Sequence, residues 1–128
     1  MYLLDSDYLI YFLKGMPKVV ELVNQLDAEL YTSVVCIGEV SEGLATPANK
    51  KKLKIFNDFV KTLKIIDIDQ KVILEFAKIR RKLRNRGKLI GDLDILIAAS
   101  CIAYNLTLVT NNKKHFKRIK GLRILSAK

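Results

Sequence analysis

The chain has 128 residues, half of them apolar and 28% charged, with 23 Lys plus Arg against 13 Asp plus Glu for a net charge of +10. That size and balance predict one globular domain over residues 1–128, and exclude a disordered chain, a collagen-like fibre and a disulfide-stapled miniprotein. Apolar runs such as residues 8–13 fall far below the roughly eighteen residues that cross a bilayer, and Asp5 interrupts the start too early for a secretory signal, so a cytoplasmic protein is expected.

Residues 2–4 form a short apolar run ending at Asp5 and read as a buried strand. Ser6 and Asp7 suit the cap of a helix over residues 8–14, stopped by Gly15. Pro17 opens a second helix, with Val19, Val20, Leu22, Val23 and Leu26 as its inward positions. Leu30-Tyr31 is a brief strand. Thr32 or Ser33 caps a helix running to about Ala45, with Gly43 and Pro47 marking its end. Residues 50–63 are again helical, with Leu53, Phe56, Phe59, Val60 and Leu63 on one face. Ile65-Ile66 is a strand, and Asp69 caps a long helix ending near Gly87 with Val72, Phe76, Ile79 and Leu83 as its inner stripe. Residues 92–104 form an apolar helix, and residues 106–109 and 122–125 are further strands. Short strands alternating with helices predict an α/β fold with a mostly parallel sheet.

In such a sheet, ligands bind beyond the carboxyl ends of the strands, where the strand order reverses. Asp5 stands at one such end, and Thr110, Asn111 and Asn112 at another; Asp92 and Asp94 open a helix, and Glu39 lies within one. Carboxylates gathered at one edge raise one another's pKa, and a divalent cation relieves the repulsion; all-oxygen ligation suits Mg²⁺ or Mn²⁺. Each residue has a simpler reading beside this one. Asp5 can be a helix cap, Glu39 a member of a solvated face, and Asp92 and Asp94 first-turn acids favoured by the helix dipole. Positions i and i+2 of a helix face different ways, so Asp92 joins Asp94 at a metal only if it lies just before the helix. The lone His115 reads as a surface or packing residue, which with no metal spacing argues against zinc. Cys36 and Cys101, 65 residues apart in apolar stretches, read as buried reduced thiols. The absence of a glycine-rich phosphate loop excludes a nucleotide triphosphatase.

The charge is unevenly spread. Residues 1–49 carry 2 basic and 7 acidic side chains, residues 50–88 carry 14 and 4, and residues 89–128 carry 7 and 2. A basic surface attracts polyanions, nucleic acid above all. The helix over residues 69–87 ends in Arg80, Arg81, Lys82, Arg84 and Arg86, followed by Lys88. It is either a solvated face or a phosphate-backbone rail beside the acids.

These segments together resemble the PIN-domain ribonucleases. The pattern Leu4-Asp5-Ser6-Asp7 resembles their opening, as does Thr32-Ser33 leading to Glu39-Val40 and Gly43. The stretch from Ile90-Gly91-Asp92-Leu93-Asp94 through Ile95-Leu96-Ile97-Ala98-Ala99 resembles their most recognisable segment. Leu108-Val109-Thr110-Asn111-Asn112-Lys113-Lys114-His115-Phe116 and Ile119-Lys120-Gly121-Leu122 follow in the family's order. The likeness covers the whole chain and is greatest to VapC-type toxins of toxin–antitoxin pairs.

The resemblance implies a three-layer α/β/α fold and a Mg²⁺- or Mn²⁺-dependent endoribonuclease. Asp5, Glu39 and Asp94 match the family's three invariant acids, and Asp92 an additional acid of many members. The fourth family position, often Asp, is here Asn112, which can orient water or accept a metal bond but adds no charge, so a second metal site stays open. On this reading Asp5 and Asp94, with Asp92, are the metal ligands. Glu39 orients or deprotonates water, and Thr110 and Asn112 give polar support; Asp7 departs from the commoner Asn or Val and carries no role. The implied partners are RNA (tRNA among the candidates), a second copy of the chain in a homodimer, and an antitoxin covering the active site. Two other readings remain open. One is a haloacid-dehalogenase-type phosphatase with Asp5 as nucleophile and Asp7 as general acid, opposed by the short chain and by Asp92–Asp94 leading straight into an apolar helix. The other is an RNA- or protein-binding module with a degenerate catalytic site, suggested by Asn112.

Overall fold

The computed structural model describes residues 1–26 and 29–127. Five strands, β1 (Tyr2–Leu4), β2 (Leu30–Ser33), β3 (Lys64–Ile66), β4 (Thr107–Val109) and β5 (Ile124–Leu125), pair in the order β3-β2-β1-β4-β5. Every pairing is parallel, and the register sets Tyr2 opposite both Leu30 and Thr107. The chain steps outward from β1 to β2 to β3, then returns across the sheet to β4. The strand order therefore reverses between β1 and β4.

Parallel strands need crossovers, and right-handed crossovers place the helices of the two halves on opposite faces. The first group comprises α1 (Ser6–Leu13), α2 (Pro17–Gln25), α3 (Val34–Leu44) and α4 (Lys50–Val60), with α1 packed on α2 and α3, and α3 on α4. The second is α5 (Gln70–Asn85) packed along α6 (Asp92–Ala103), followed after β4 by the single turn α7 (Lys113–Phe116). The fold is thus three-layered α/β/α, as expected. Covered on both faces, β1 and β4 are continuously apolar rather than alternating: Leu3, Leu4, Leu108 and Val109 are fully buried, alongside Tyr8, Phe56, Ile95, Ile97 and Phe116. Each such side chain contributes roughly 1.5–3 kcal/mol of burial energy.

Several boundaries differ from the sequence expectation, for local reasons. Helix α1 begins at Ser6 because Asp5, not Ser6 or Asp7, is its cap: Asp5 Oδ1 accepts from the Ser6 amide at 2.8 Å. Of Thr32 and Ser33, Ser33 caps α3, its hydroxyl accepting from the Cys36 amide at 3.1 Å, while Thr32 donates to the Leu4 carbonyl at 2.9 Å and ties β2 to β1. In α2 only Val19 and Val23 are buried, with Val20, Leu22 and Leu26 half-buried at the rim. Helix α4 ends at Val60, with Leu63 buried in the turn beyond, and β5 shortens to two residues. No helix among the described residues is long and apolar enough to cross a membrane.

Candidate active site

The strand-order reversal brings together two chain corners, β1–α1 and β4–α7. Asp5, the first residue beyond β1, is 5% exposed, and both its oxygens are engaged. Oδ1 takes the Ser6 amide, and Oδ2 accepts from the Thr110 hydroxyl at 2.7 Å. Thr110 in turn accepts from the Asn112 amide at 3.0 Å, which folds residues 110–112 back over the strand end. Asp7 closes the other side of this corner, with Oδ2 accepting from the Asn111 amide at 2.9 Å and Oδ1 from the Tyr8 amide at 2.7 Å. The Tyr8 hydroxyl donates to Asn111 Oδ1 at 2.8 Å. Two segments more than a hundred residues apart are stitched into one rigid rim.

Helix α3 supplies the second wall. Cys36 and Glu39 are three residues apart and so share a face, and that face looks at Asp5. Ligand atoms of Asp5, Cys36 and Glu39 lie within 4.8 Å of one another. The Cys36 thiol donates toward Asp5 Oδ1 at 3.8 Å and accepts from Ser33 Oγ at 3.4 Å. Burial, then the Asp5 charge, push that thiol up to about 12, so it stays protonated. Glu39 Oε1 is buried with no hydrogen-bond partner among the described residues.

The electrostatics carry the mark of crowding. Burial lifts the Asp5 carboxyl above the ordinary carboxylate value, Thr110, Ser6 and Cys36 oppose the rise, and the Asp94 charge adds to it. Glu39 is raised by burial first and by the Asp5 charge next, with Asp94 and Asp7 contributing further. Asp7 is raised to about 6 by burial and by Asp5, against the pull of its amide donors. Asp94 thus acts on both carboxyls through its charge, while its own Oδ2 lies 3.4 Å from His115 Nδ1 and outside the group of Asp5, Cys36 and Glu39.

Asp92 caps no pocket edge but pairs with Arg80 Nε at 2.9 Å, and its side chain is 61% exposed against 23% for Asp94. The cause is helical geometry: Asp92 is already the first residue of α6, so it points away from Asp94 two positions later. The resemblance made Asp92 a metal ligand; in this structure its carboxylate is held by Arg80 instead. Arg80, placed by sequence among the rail residues, is spent on the same pair.

Two neighbours escaped the sequence reading. His115, expected at the surface or in packing, sets Nδ1 3.4 Å from Asp94 Oδ2 and 3.3 Å from the side-chain Nδ2 of Asn112. Its distance of three residues from Asn112 on the α7 turn was the available signal. Cys36 was read only as a buried thiol; the signal that it faces Asp5 was its spacing to Glu39.

An unpartnered buried carboxylate oxygen among mutually repelling acids fits a hard divalent cation, because oxygen donors suit Mg²⁺ or Mn²⁺ and the protonated thiol does not compete. The arrangement has known relatives. The sequence pattern of the PIN domain family matches residues 2–122. Ribonuclease VapC1 of Methanocaldococcus jannaschii is 37% identical over 124 residues, covering 95% of this chain and 85% of that protein. Ribonuclease VapC2 of Haemophilus influenzae is 32% identical over 124 residues, covering 95% and 94%. The solved VapBC2 structure from Rickettsia felis, bound to a DNA fragment from their promoter, superposes with a TM-score of 0.90 at 30% identity, covering 99% of this chain and 98% of that one. With its sheet order, its corner aspartate and nearly its whole length accounted for, the chain belongs to the PIN domain family.

Proposed function

We propose that the chain is a metal-dependent endoribonuclease acting as the toxin of a toxin–antitoxin pair. The observation that carries this reading is the buried, unpartnered Glu39 Oε1 set against Asp5, with the Asp94 charge raising both carboxyls. The named ribonuclease relatives support RNA as the substrate.

Asp5 and Asp94 would hold Mg²⁺ or Mn²⁺, and Glu39 would face the attacking water. When bound, the cation lowers the pKa of that water and offsets charge at the leaving oxygen. Glu39, raised above the ordinary carboxylate value by burial, is suited to take up the water's proton. Thr110 fixes Asp5 Oδ2, while the Ser6 amide and the Cys36 thiol fix Oδ1, so the carboxylate cannot rotate away from the pocket. Asn112 contributes a neutral amide that orients substrate without adding to the repulsion.

The partners follow the same reading: an RNA, with tRNA as the structured candidate, a second copy of the chain, and a cognate antitoxin. A largely apolar groove of about 420 Å³ is lined by Ile10, Leu13, Val40, Leu44 and Ile55 together with Lys14, Lys52 and Glu39. A helix seated there covers the pocket mouth. An RNA substrate and an antitoxin partner would support a cytoplasmic location.

The test is cleavage of total RNA and purified tRNA with Mn²⁺ by the wild type and by Asp5→Asn. Asparagine keeps the helix cap but removes the charge, so a folded and inactive variant is expected. A wild type that cuts no RNA, structured tRNA included, leaves the binding-module reading in its place. Release of phosphate from a small aryl phosphate, dependent on Asp7, restores the phosphatase reading.

A further inference from the structure

Six cations drawn from two distant segments converge on a hollow of about 400 Å³: Arg86 and Lys88 from the turn after α5, and Lys114, Lys117, Arg118 and Lys120 from α7 and the turn beyond. We propose that this hollow is an RNA-phosphate cradle, a binding site separate from the acidic pocket that anchors the folded part of the substrate. The inference rests on the ribonuclease reading only for the identity of the polyanion.

The hollow is a built feature rather than a stretch of loose side chains. Gly87 takes a φ of +63°, and the amides of Gly87 and Lys88 return to the carbonyls of Arg84 and Leu83 at 3.0 and 2.8 Å. This helix-ending motif turns the chain so that Arg86 and Lys88 border one space. Arg86 Nη2 donates to the Arg118 carbonyl at 3.0 Å, and Arg118 Nη1 reaches back to the carbonyls of Lys88 and Leu89 at 3.4 Å. The two arginines thus lock the segments to each other. The four lysines are left exposed, and among the described residues none of the six pairs with a carboxylate.

The chemistry of the lining selects the ligand. All six lining residues are Lys or Arg, and no apolar side chain is among them. A protein partner buries an apolar centre within a polar rim; a phosphate backbone needs only cations, and its counterions leave as it binds. The position also suits a substrate that continues into the active site. Lys114 is the chain neighbour of His115, which touches Asp94, and Lys88 lies in the segment leading to α6.

The experiment uses the Asp5→Asn protein in EDTA, so that binding is read without cleavage, with a fluorescein-labelled RNA stem-loop as probe. Lys114→Gln/Lys117→Gln/Lys120→Gln is compared with Lys50→Gln/Lys51→Gln/Lys54→Gln, which removes the same charge from exposed positions of α4. The cradle triple is expected to lose about tenfold or more in affinity and to lower the slope of log K against log salt by about 2. The α4 triple is expected to change both far less. In the background with Asp5 restored, the cradle triple is expected to cut a trinucleotide as the wild type does and to cut the stem-loop poorly. Equal losses from the two triples reduce the effect to net charge and overturn the cradle. Unchanged RNA binding overturns it as well, including the case where the cradle triple loses affinity only for a poly-glutamate probe. Cradle-dependent binding by a protein that cuts no RNA sinks the ribonuclease reading and leaves the cradle standing.

Discussion

The acidic pocket and the cationic cradle are both concentrations of like charge, yet the fold treats them in opposite ways. In the pocket, Asp5 is nearly inaccessible and its hydrogen bonds hold both oxygens in place, so mutual repulsion cannot be relieved by moving apart. In the cradle the lysines stand in solvent, where water and salt screen them at little cost to stability. Rigid crowding suits a site that must present a fixed geometry to a cation. Solvated crowding suits a surface that grips a flexible polyanion. The first stores a stability deficit that a ligand recovers, and the second stores almost none.

Asp5→Asn breaks this contrast most severely. The expected loss of RNA cleavage is on the order of a thousandfold or more, because the charge that holds the cation is removed while the α1 cap survives. The same substitution is expected to raise the melting temperature of the metal-free protein, since a buried carboxyl held above its ordinary value no longer needs to ionise. Saturating Mn²⁺ is expected to stabilise the wild type by about 2–3 kcal/mol at a hundredfold excess over its dissociation constant, and the variant by little. A cleavage assay reads the first quantity, and calorimetry of both proteins with and without Mn²⁺ reads the other two. A melting temperature that falls in the variant contradicts the stored deficit.

Asp7 offers a smaller and pH-resolved version of the same effect. Its carboxyl titrates at about 6 in the folded chain and near 4 when unfolded. Between those values the folded state holds more protons than the unfolded state, so stability falls as pH rises through the window and stays reduced above it. Asp7→Asn removes the ionisation but keeps an oxygen for the Asn111 or Tyr8 amide. In EDTA it is expected to gain about 1–2 kcal/mol at pH 7.5, the shift being discounted for partial solvation. At pH 4 the gain should vanish. Urea unfolding at the two pH values decides it, and an equal gain at both assigns the effect to packing.

The sequence exposed the frame of this site more fully than its details. Strand β1 and Asp5 were readable because a doubly covered strand is an unbroken apolar run, and its polar end stands out. Thr110 and Asn112 followed from the same logic at β4. The grouping of Glu39 and Asp94 with Asp5 was implied only by the likeness to a family, since no spacing links positions 5, 39 and 94; the structure sets Glu39 beside Asp5. The Cys36 contact was hidden because a thiol in an apolar stretch looks alike whether it faces core or carboxylate. Helix α7 was hidden because four residues with one buried anchor, Phe116, show no period. The basic run at the end of α5 was visible as a run, but helical rotation divides it: Arg80 goes to Asp92, Lys82 borders a different hollow, and Arg86 joins the cradle. Its cradle partners lie about thirty residues on, and no linear pattern announces them.

The smallest expected effect tests the boundary between the two charge clusters. Asp92 sits where α6 begins, two residues from Asp94, and its pair with Arg80 is exposed enough that solvent takes up most of the attraction. Asp92→Asn is therefore expected to cost no more than about 0.5 kcal/mol in stability and to leave Mn²⁺ affinity within twofold of the wild type. Asp94→Asn, one helical step away on the inner face, is expected to weaken Mn²⁺ binding by about tenfold or more. Isothermal titration with Mn²⁺ separates them. If both substitutions weaken binding equally, Asp92 must leave Arg80 when the cation arrives, and the rigidity that distinguishes the pocket from the cradle does not extend to the start of α6.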